Sequence, residues 1–325
     1  MGIVNLTDNS YYAASRCLAH AAADVSDNAT EKTGDDTELE TMTAKALERI
    51  GKMLDEGADI IDIGACSTRP GSEPVGEEEE WRRLEPVLKA VRERFPETVV
   101  SVDTYWASVV EKTAALFGKA AREKFIVNDI SAGEDDPDML PTVGRLGLRY
   151  IAMHKRGTPK TMQSLCQYDD VVGEVVRYFH EFAAKADRYG IKDWILDPGF
   201  GFAKTIEQNY QLLAGLSCFS KDNFAVQHAA AEVSGESCRD DRDGYAGCAE
   251  FHPEILVGIS RKSMIYRLFD ITPEDSLPAT QVLHYAALQN GATILRVHDV
   301  AEAVRTKELF TVIAREDAGR MEKYV

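Results

Sequence analysis

Eight short apolar runs alternate with helix-period segments along the 325 residues, and this order predicts an α/β chain folded as a (β/α)8 barrel. The runs are near-continuous rather than alternating, as expected for parallel strands covered on both faces. Several end in a polar residue at the C-terminal end, the face of such a barrel where chemistry is built. An open doubly wound sheet is disfavoured, because no G-x-G-x-x-G follows the first run.

The elements follow in order. Gly2 to Thr7 is the first strand. A polar stretch, about 16–38, reads as an insertion rich in Ala, Asp, Asn and Thr. Leu39 to Glu56 carries Met42, Ala46, Ile50, Met53 and Leu54 at helical spacing, and Gly57 stops it. Ala58 to Ala65 is strand two, leading into the loop from Cys66 to Ser72. Glu77 to Phe95 is a helix whose four leading glutamates match the helix dipole. Val99 to Thr104 is strand three, and a helix spans Ala107 to Phe117. Phe125 to Ser131 is strand four, followed by a helix from Pro137 to Leu146. Arg149 to Lys155 is strand five, and a long amphipathic helix runs from Tyr168 to Tyr189. Strand six opens the stretch Trp194 to Lys204, and Ile206 to Leu216 is helical. A second polar insertion, about 218–253, carries an Arg-Asp-Asp-Arg-Asp run. Ile255 to Ser260 is strand seven, with helices at Met264 to Phe269 and Ala279 to Gln289. Thr293 to His298 is strand eight, and a last helix starts near Val300. The expectation is one domain over 1–325.

A net charge of −17 argues against nucleic acid and against an anionic membrane surface. A local basic site can still take an anionic substrate. The six cysteines include no C-x-x-C pair, so no zinc site is expected, and reduced thiols in the cytoplasm are the plain reading. No run approaches the ~20 apolar residues of a membrane span, and the N-terminus does not read as a signal peptide.

A barrel gathers Asn5, Thr68, Arg69, Asp103, Asn128, His154, Asp197, Lys262, Arg296 and His298 at one mouth. Asp103, Asn128 and Asp197 suit the amino-pyrimidinone edge of a neutral heterocycle, since a carboxylate accepts two parallel hydrogen bonds. Arg69, Lys262, Arg296 and His298, cationic or potentially so, suit a phosphate or carboxylate. Asn5 is a neutral oxygen ligand suited to Mg2+ held beside substrate phosphates. Asp62 is assigned to the barrel wall, outside the site, and His154 to the pocket wall. Strand alternation turns Asp129 and Asp299 away from it.

In order along the chain stand Met1-Gly-Ile-Val-Asn-Leu-Thr7, Ser67-Thr-Arg-Pro-Gly71, Ser101-Val-Asp-Thr104 and Asn128-Asp-Ile130. Asp197-Pro-Gly-Phe-Gly-Phe202, Ser260-Arg-Lys262 and Arg296-Val-His-Asp299 follow. The set resembles the dihydropteroate synthases over nearly the whole chain apart from the insertions. The resemblance implies a TIM barrel that joins 4-aminobenzoate to 6-hydroxymethyl-7,8-dihydropterin diphosphate, with Mg2+, usually as a homodimer. It implies a substrate-binding set of Asp103, Asn128, Met153, Asp197, Phe202, Ser260, Lys262 and Arg296. Arg296, His298, Thr68 and Arg69 take catalytic places, the last two on a mobile loop, with Asn5 at the metal. It further implies that diphosphate leaves first and a neutral aniline then attacks. The family's first loop usually reads Asn-x-Thr-Pro-Asp-Ser-Phe-x-Asp-Gly-Gly. Here it runs from Asn5 to Ser15 with Asp8 at the Pro position, Asn9 and Ala13 at the two Asp positions, and no double glycine. That departure keeps open a pterin-binding barrel without synthase activity. A related pterin-dependent methyltransferase is a further alternative.

Overall fold

The computed structural model describes residues 1–6, 34–66, 75–158, 160–219 and 254–324. The elements are β1 Gly2–Asn5, α1 Gly34–Asp55, β2 Ile60–Gly64, α2 Glu77–Arg94, β3 Val99–Asp103, α3 Ala107–Phe117 and α4 Ala121–Lys124. Next come β4 Phe125–Asp129, α5 Met139–Leu146, β5 Arg149–Met153, α6 Val171–Arg188, β6 Trp194–Asp197 and α7 Ile206–Ala214. After β7 Glu254–Val257 come the helices Ser263–Tyr266 and Leu277–Gln289, then β8 Ile294–Leu295 and the helix Val300–Tyr324.

The eight strands lie in sequence order, and every paired neighbour is parallel. Just beyond β8 the chain returns to β1. The Ile3 amide donates to the Val297 carbonyl at 3.0 Å, and the Val297 amide donates to the Met1 carbonyl at 2.9 Å. The sheet therefore closes into the expected barrel.

Strand alternation sorts each apolar run into two cores. Ile61, Ile63, Val100, Val102, Val127, Tyr150 and Leu196 face outward and pack beneath the helices, against Met42, Ile50, Leu84, Val110 and Phe179. Met1, Ile126, Ile151, Ile195 and Leu256 face inward and plug the floor of the barrel, with Ile60, Val99 and Ile294 around them. Above that floor the inward positions turn polar.

Several expectations shift. α1 begins at Gly34, so 34–38 belong to the helix rather than to the first insertion; 16–33 lie outside the described residues. Of the second insertion, Cys218 and Phe219 finish a 3-10 turn, and Phe219 packs edge-on to Phe179 with ring centroids 6.2 Å apart. Residues 220–253 lie outside the described set. The four-residue α4 is too short to leave a periodic signal. Glu80, last of the four leading glutamates, is not a solvated dipole partner. It is fully buried, and burial with Asp103 nearby pushes its carboxyl up to about 7, against Thr104 and Arg83.

Candidate active site

The first polar layer sits directly on the apolar floor and centres on Asp62, which is fully buried. The Ser101 hydroxyl donates to Asp62 Oδ1 at 2.7 Å, and Asn128 Nδ2 donates to the same oxygen at 3.2 Å. Arg296 Nε donates to Asp62 Oδ2 at 2.7 Å, with Nη2 2.6 Å from that oxygen. Asp62 is thus no bystander in the wall, as the sequence reading had it. It orients two residues of the expected site from below. The partners come from β3, β4 and the end of β8, so the closed barrel is what brings them together.

The mouth lies one layer higher. Arg296 Nη2 also donates to Asp103 Oδ2 at 2.9 Å, so one guanidinium spans two carboxylates. The expected division into a neutral heterocycle half and a cationic half does not hold, because Arg296 stands inside the carboxylate set. Burial, with Asp62, Asp129 and Asp197 nearby, pushes the Asp103 carboxyl up to about 7 against the pull of Arg296. Asp197 is also raised by burial, opposed by Lys262, the Gly199 amide, Arg296 and Lys204. Lys262 is lowered to about 8 by burial and Arg296, against the attraction of Asp197 and Asp103. Lys262 reaches across to donate to the Phe200 carbonyl, and its ammonium stands 4.8 Å from the Phe202 ring centroid. Ammonium-on-ring contacts of this kind are attractive through the ring quadrupole.

The remaining expected residues take their places around this centre. Met153, buried at the end of β5, is in register with Asp197. The Ser260 hydroxyl accepts from the His298 amide at 3.2 Å, tying the end of β7 to the end of β8. Asn5 ends β1, in register with Gly64. Thr68 and Arg69 lie outside the described residues.

His298 does not fit the cationic role it was given. Burial lowers its imidazole to about 3, and Arg296, Arg49, Arg261 and Lys262 push the same way. At neutral pH it is an uncharged hydrogen-bonding group. Arg261, between Ser260 and Lys262 in the chain, is turned away from the site. Its guanidinium takes both oxygens of Asp299 at 2.8 and 3.0 Å and two carbonyls, Pro273 at 2.8 Å and Glu274 at 2.6 Å. Asp129 and Asp299 do point away from the mouth. Asp129 accepts from the Tyr150 hydroxyl at 2.6 Å in the outer core.

The sequence reading also passed over Lys204. It is buried beneath the turn after β6, in hydrogen-bond contact with His154. Its signal was present in the sequence as a lysine closing a Gly-Phe-Gly-Phe turn, but nothing in the spacing tells a buried lysine from a solvated one.

Inward-facing donors and acceptors over a dry floor, with two cations against two carboxylates, form a site for a flat polar ring that carries an anionic group. The model for "Pterin binding enzyme" matches residues 27–298. The chain belongs to the pterin-binding enzyme family. Within that family it is 37% identical to the dihydropteroate synthase of Escherichia coli (strain K12), over 84% of this chain and 85% of that one. It is 35% identical to the dihydropteroate synthase of Synechocystis, over 78% of this chain and 77% of that one. Among solved structures, Yersinia pestis dihydropteroate synthase with a sulfonamide drug superposes with a TM-score of 0.73 at 31% identity, covering 97% of this chain and 93% of that one. The Xanthomonas albilineans enzyme in complex with 7,8-dihydropteroate gives 0.67 at 28% identity, covering 96% and 92%.

Proposed function

We propose that this member of the pterin-binding family is a dihydropteroate synthase, a transferase of folate biosynthesis. It joins 4-aminobenzoate to 6-hydroxymethyl-7,8-dihydropterin diphosphate. One observation carries the reading: Arg296 lies beside Asp103 and above Asp62, at the same mouth as Asp197, Asn128 and Lys262. A site that only held a neutral pterin has no use for a guanidinium locked by two carboxylates. A site that also releases an anion does.

On this reading Asp197, Asn128 and Asp103 face the donor edge of the pterin, with Met153 and Phe202 against the ring. Ser260 and Lys262 border the aminobenzoate. The C–O bond to diphosphate breaks first, and the electron pair leaves with the diphosphate. Arg296 meets the charge that grows there, and neutral His298 contributes a hydrogen bond. The aniline lone pair then closes the C–N bond, and its proton passes to solvent. No strong base is required, because an aniline is unprotonated at neutral pH. Thr68 and Arg69 belong to the loop that helps keep water from the cation.

Mg2+ fits the donor set in one way. Among the described residues no cluster of three or more His, Cys, Asp or Glu side chains is placed to hold a metal. Asn5 supplies one neutral oxygen, which suits an ion held mainly by diphosphate and water. Such an ion would neutralise phosphate charge. The exposed apolar side chains Val282, Leu309, Val312 and Ile313 on the helices Leu277–Gln289 and Val300–Tyr324 support a homodimer through that face. The charge of −17 supports small-molecule substrates over nucleic acid or anionic membranes, and six scattered cysteines with no C-x-x-C pair support a cytoplasmic setting.

The test is dihydropteroate formation from both substrates, with and without Mg2+. Product that depends on Mg2+ is expected. A folded protein that binds the pterin but forms no product at saturating substrate would transfer the assignment to a binding barrel. The altered stretch from Asp8 to Ala14 would then be the first segment to examine.

A further inference from the structure

The turn after β6 is pinned at several backbone groups. The Gly199 amide donates to Asp197 Oδ1 at 2.8 Å, and the Gly201 amide donates to Asn209 Oδ1 at 2.7 Å. The turn presses directly on the end of β5: a Cβ at Gly199 would stand 1.9 Å from the His154 carbonyl oxygen, and its φ of +72° favours glycine in any case. Three of its carbonyls go to two lysines. Lys262 holds Phe200 from above. Lys204 holds the other two from below, with Nζ 2.9 Å from the Gly199 oxygen and 3.1 Å from the Phe202 oxygen.

The third contact of Lys204 is His154 Nδ1 at 3.0 Å. Burial, with Lys204 and Arg156 nearby, lowers His154 to about 2, so its ring is neutral, and towards an ammonium, which has no lone pair, Nδ1 is the acceptor. An ammonium has three N–H groups, and here all three meet acceptors. None of the three is a carboxylate. Lys204 is 4% exposed, so it is buried with only neutral groups as hydrogen-bond partners. Burial lowers it to about 7; Lys262 and Arg156 push the same way, and Asp197 and Cys166 oppose them. An apolar side chain at this position would avoid that desolvation cost. What it would lose is the single point that gathers the β5 end and both ends of the turn.

We propose that Lys204 is a positioning residue of the pterin site, whose ammonium draws Gly199 O, Phe202 O and His154 Nδ1 together and so fixes the turn that sets Asp197, presents Phe202 and holds Lys262. The inference rests on the synthase reading for its purpose, but its test does not depend on turnover. Lys204 and Lys262 anchor the same turn, so the two losses overlap.

The experiment is a double-mutant cycle read by calorimetric binding of unphosphorylated 6-hydroxymethyl-7,8-dihydropterin. Lys204→Met is expected to weaken binding on the order of 10-fold, the scale of a small displacement of binding groups. In Lys262→Met the same change is expected to add little, because the turn has already lost its upper anchor. Full additivity would overturn the proposal and leave Lys204 with a structural role only. If Lys204→Met does not fold, Lys204→Arg keeps the charge but not the tripod geometry. It is expected to weaken binding in the wild-type background and not in Lys262→Met, and equal losses in both would count against the proposal. Wild-type product formation is measured separately. Its absence would remove the synthase reading and leave the binding cycle to judge Lys204.

Discussion

The inside of this barrel is built twice, a few residues apart on the same strands. At the floor, Met1, Ile126, Ile151, Ile195 and Leu256 make a dry plug. One layer up, Asp62, Ser101, Asn128 and Arg296 fill the same bore with charge and hydrogen bonds. The floor gains free energy from every buried methylene. The polar layer pays a desolvation cost and recovers it only because each partner is placed by a different strand. The floor therefore tolerates reshaping at some loss of stability, whereas the mouth loses function when a single partner is removed.

The sharpest way to break this contrast is to cut into the floor. Ile151 is fully buried there, and Ile151→Ala is expected to cost about 2–5 kcal/mol in denaturant unfolding. Substrate KM values should stay near wild type. A large change in KM with little change in stability would show that the floor belongs to the site.

Arg296→Ala reverses the pattern. A loss on the order of 10²-fold or more in turnover is expected, since the guanidinium acts most on charge that grows in the transition state. Binding of unphosphorylated pterin should weaken much less. Equal losses in both would place Arg296 with ground-state binding.

Asp197→Asn puts a donor where the pterin presents donors, and about 2–4 kcal/mol of pterin affinity should go. Unchanged affinity by calorimetry would remove Asp197 from the pterin edge.

The smallest effect is on pH dependence, and its sign differs between the groups of the mouth. Asp103, raised to about 7, prefers its proton in the folded state, so its contribution is full below about 4 and is lost as pH rises through about 7. Lys204 and Lys262, lowered to about 7 and about 8, hold their protons less tightly when folded, so stability they cost at low pH returns as pH rises above those values toward 10.5. His298, lowered to about 3, costs stability at low pH that returns between about 3 and 6.5, and so works against the Asp103 decline. Relative to wild type, thermal melts of Asp103→Asn should lose less stability as pH rises from about 4 to 7, a difference the floor cannot produce because it holds no titrating side chain. A pH profile unchanged in this variant would assign the decline to other carboxylates, Glu80 first among them.

The eight strands and most helices were legible because burial on two faces and helical periodicity are local properties. The ends of the strands were legible as the place for Asp103, Asn128, Asp197, Lys262 and Arg296, since alternation and chain direction determine which end and which face a side chain takes. The motifs carried the family for the same reason: their order along the chain is their order around the barrel.

What the chain could not announce was how far each polar group sits from water and what it meets across the bore. Asp62 meets Asn128 over a separation of 66 residues and Arg296 over 234, and no local pattern encodes such a pair. His298 loses its charge, Glu80 retains its proton more readily and Lys204 becomes a buried tripod only once the barrel closes around them. Sequence by itself determined the order of strands and the residues delivered to the mouth. Closure of the barrel decided which of those residues pair and which are charged, because desolvation and Coulomb interaction depend on distances that exist only in the folded molecule.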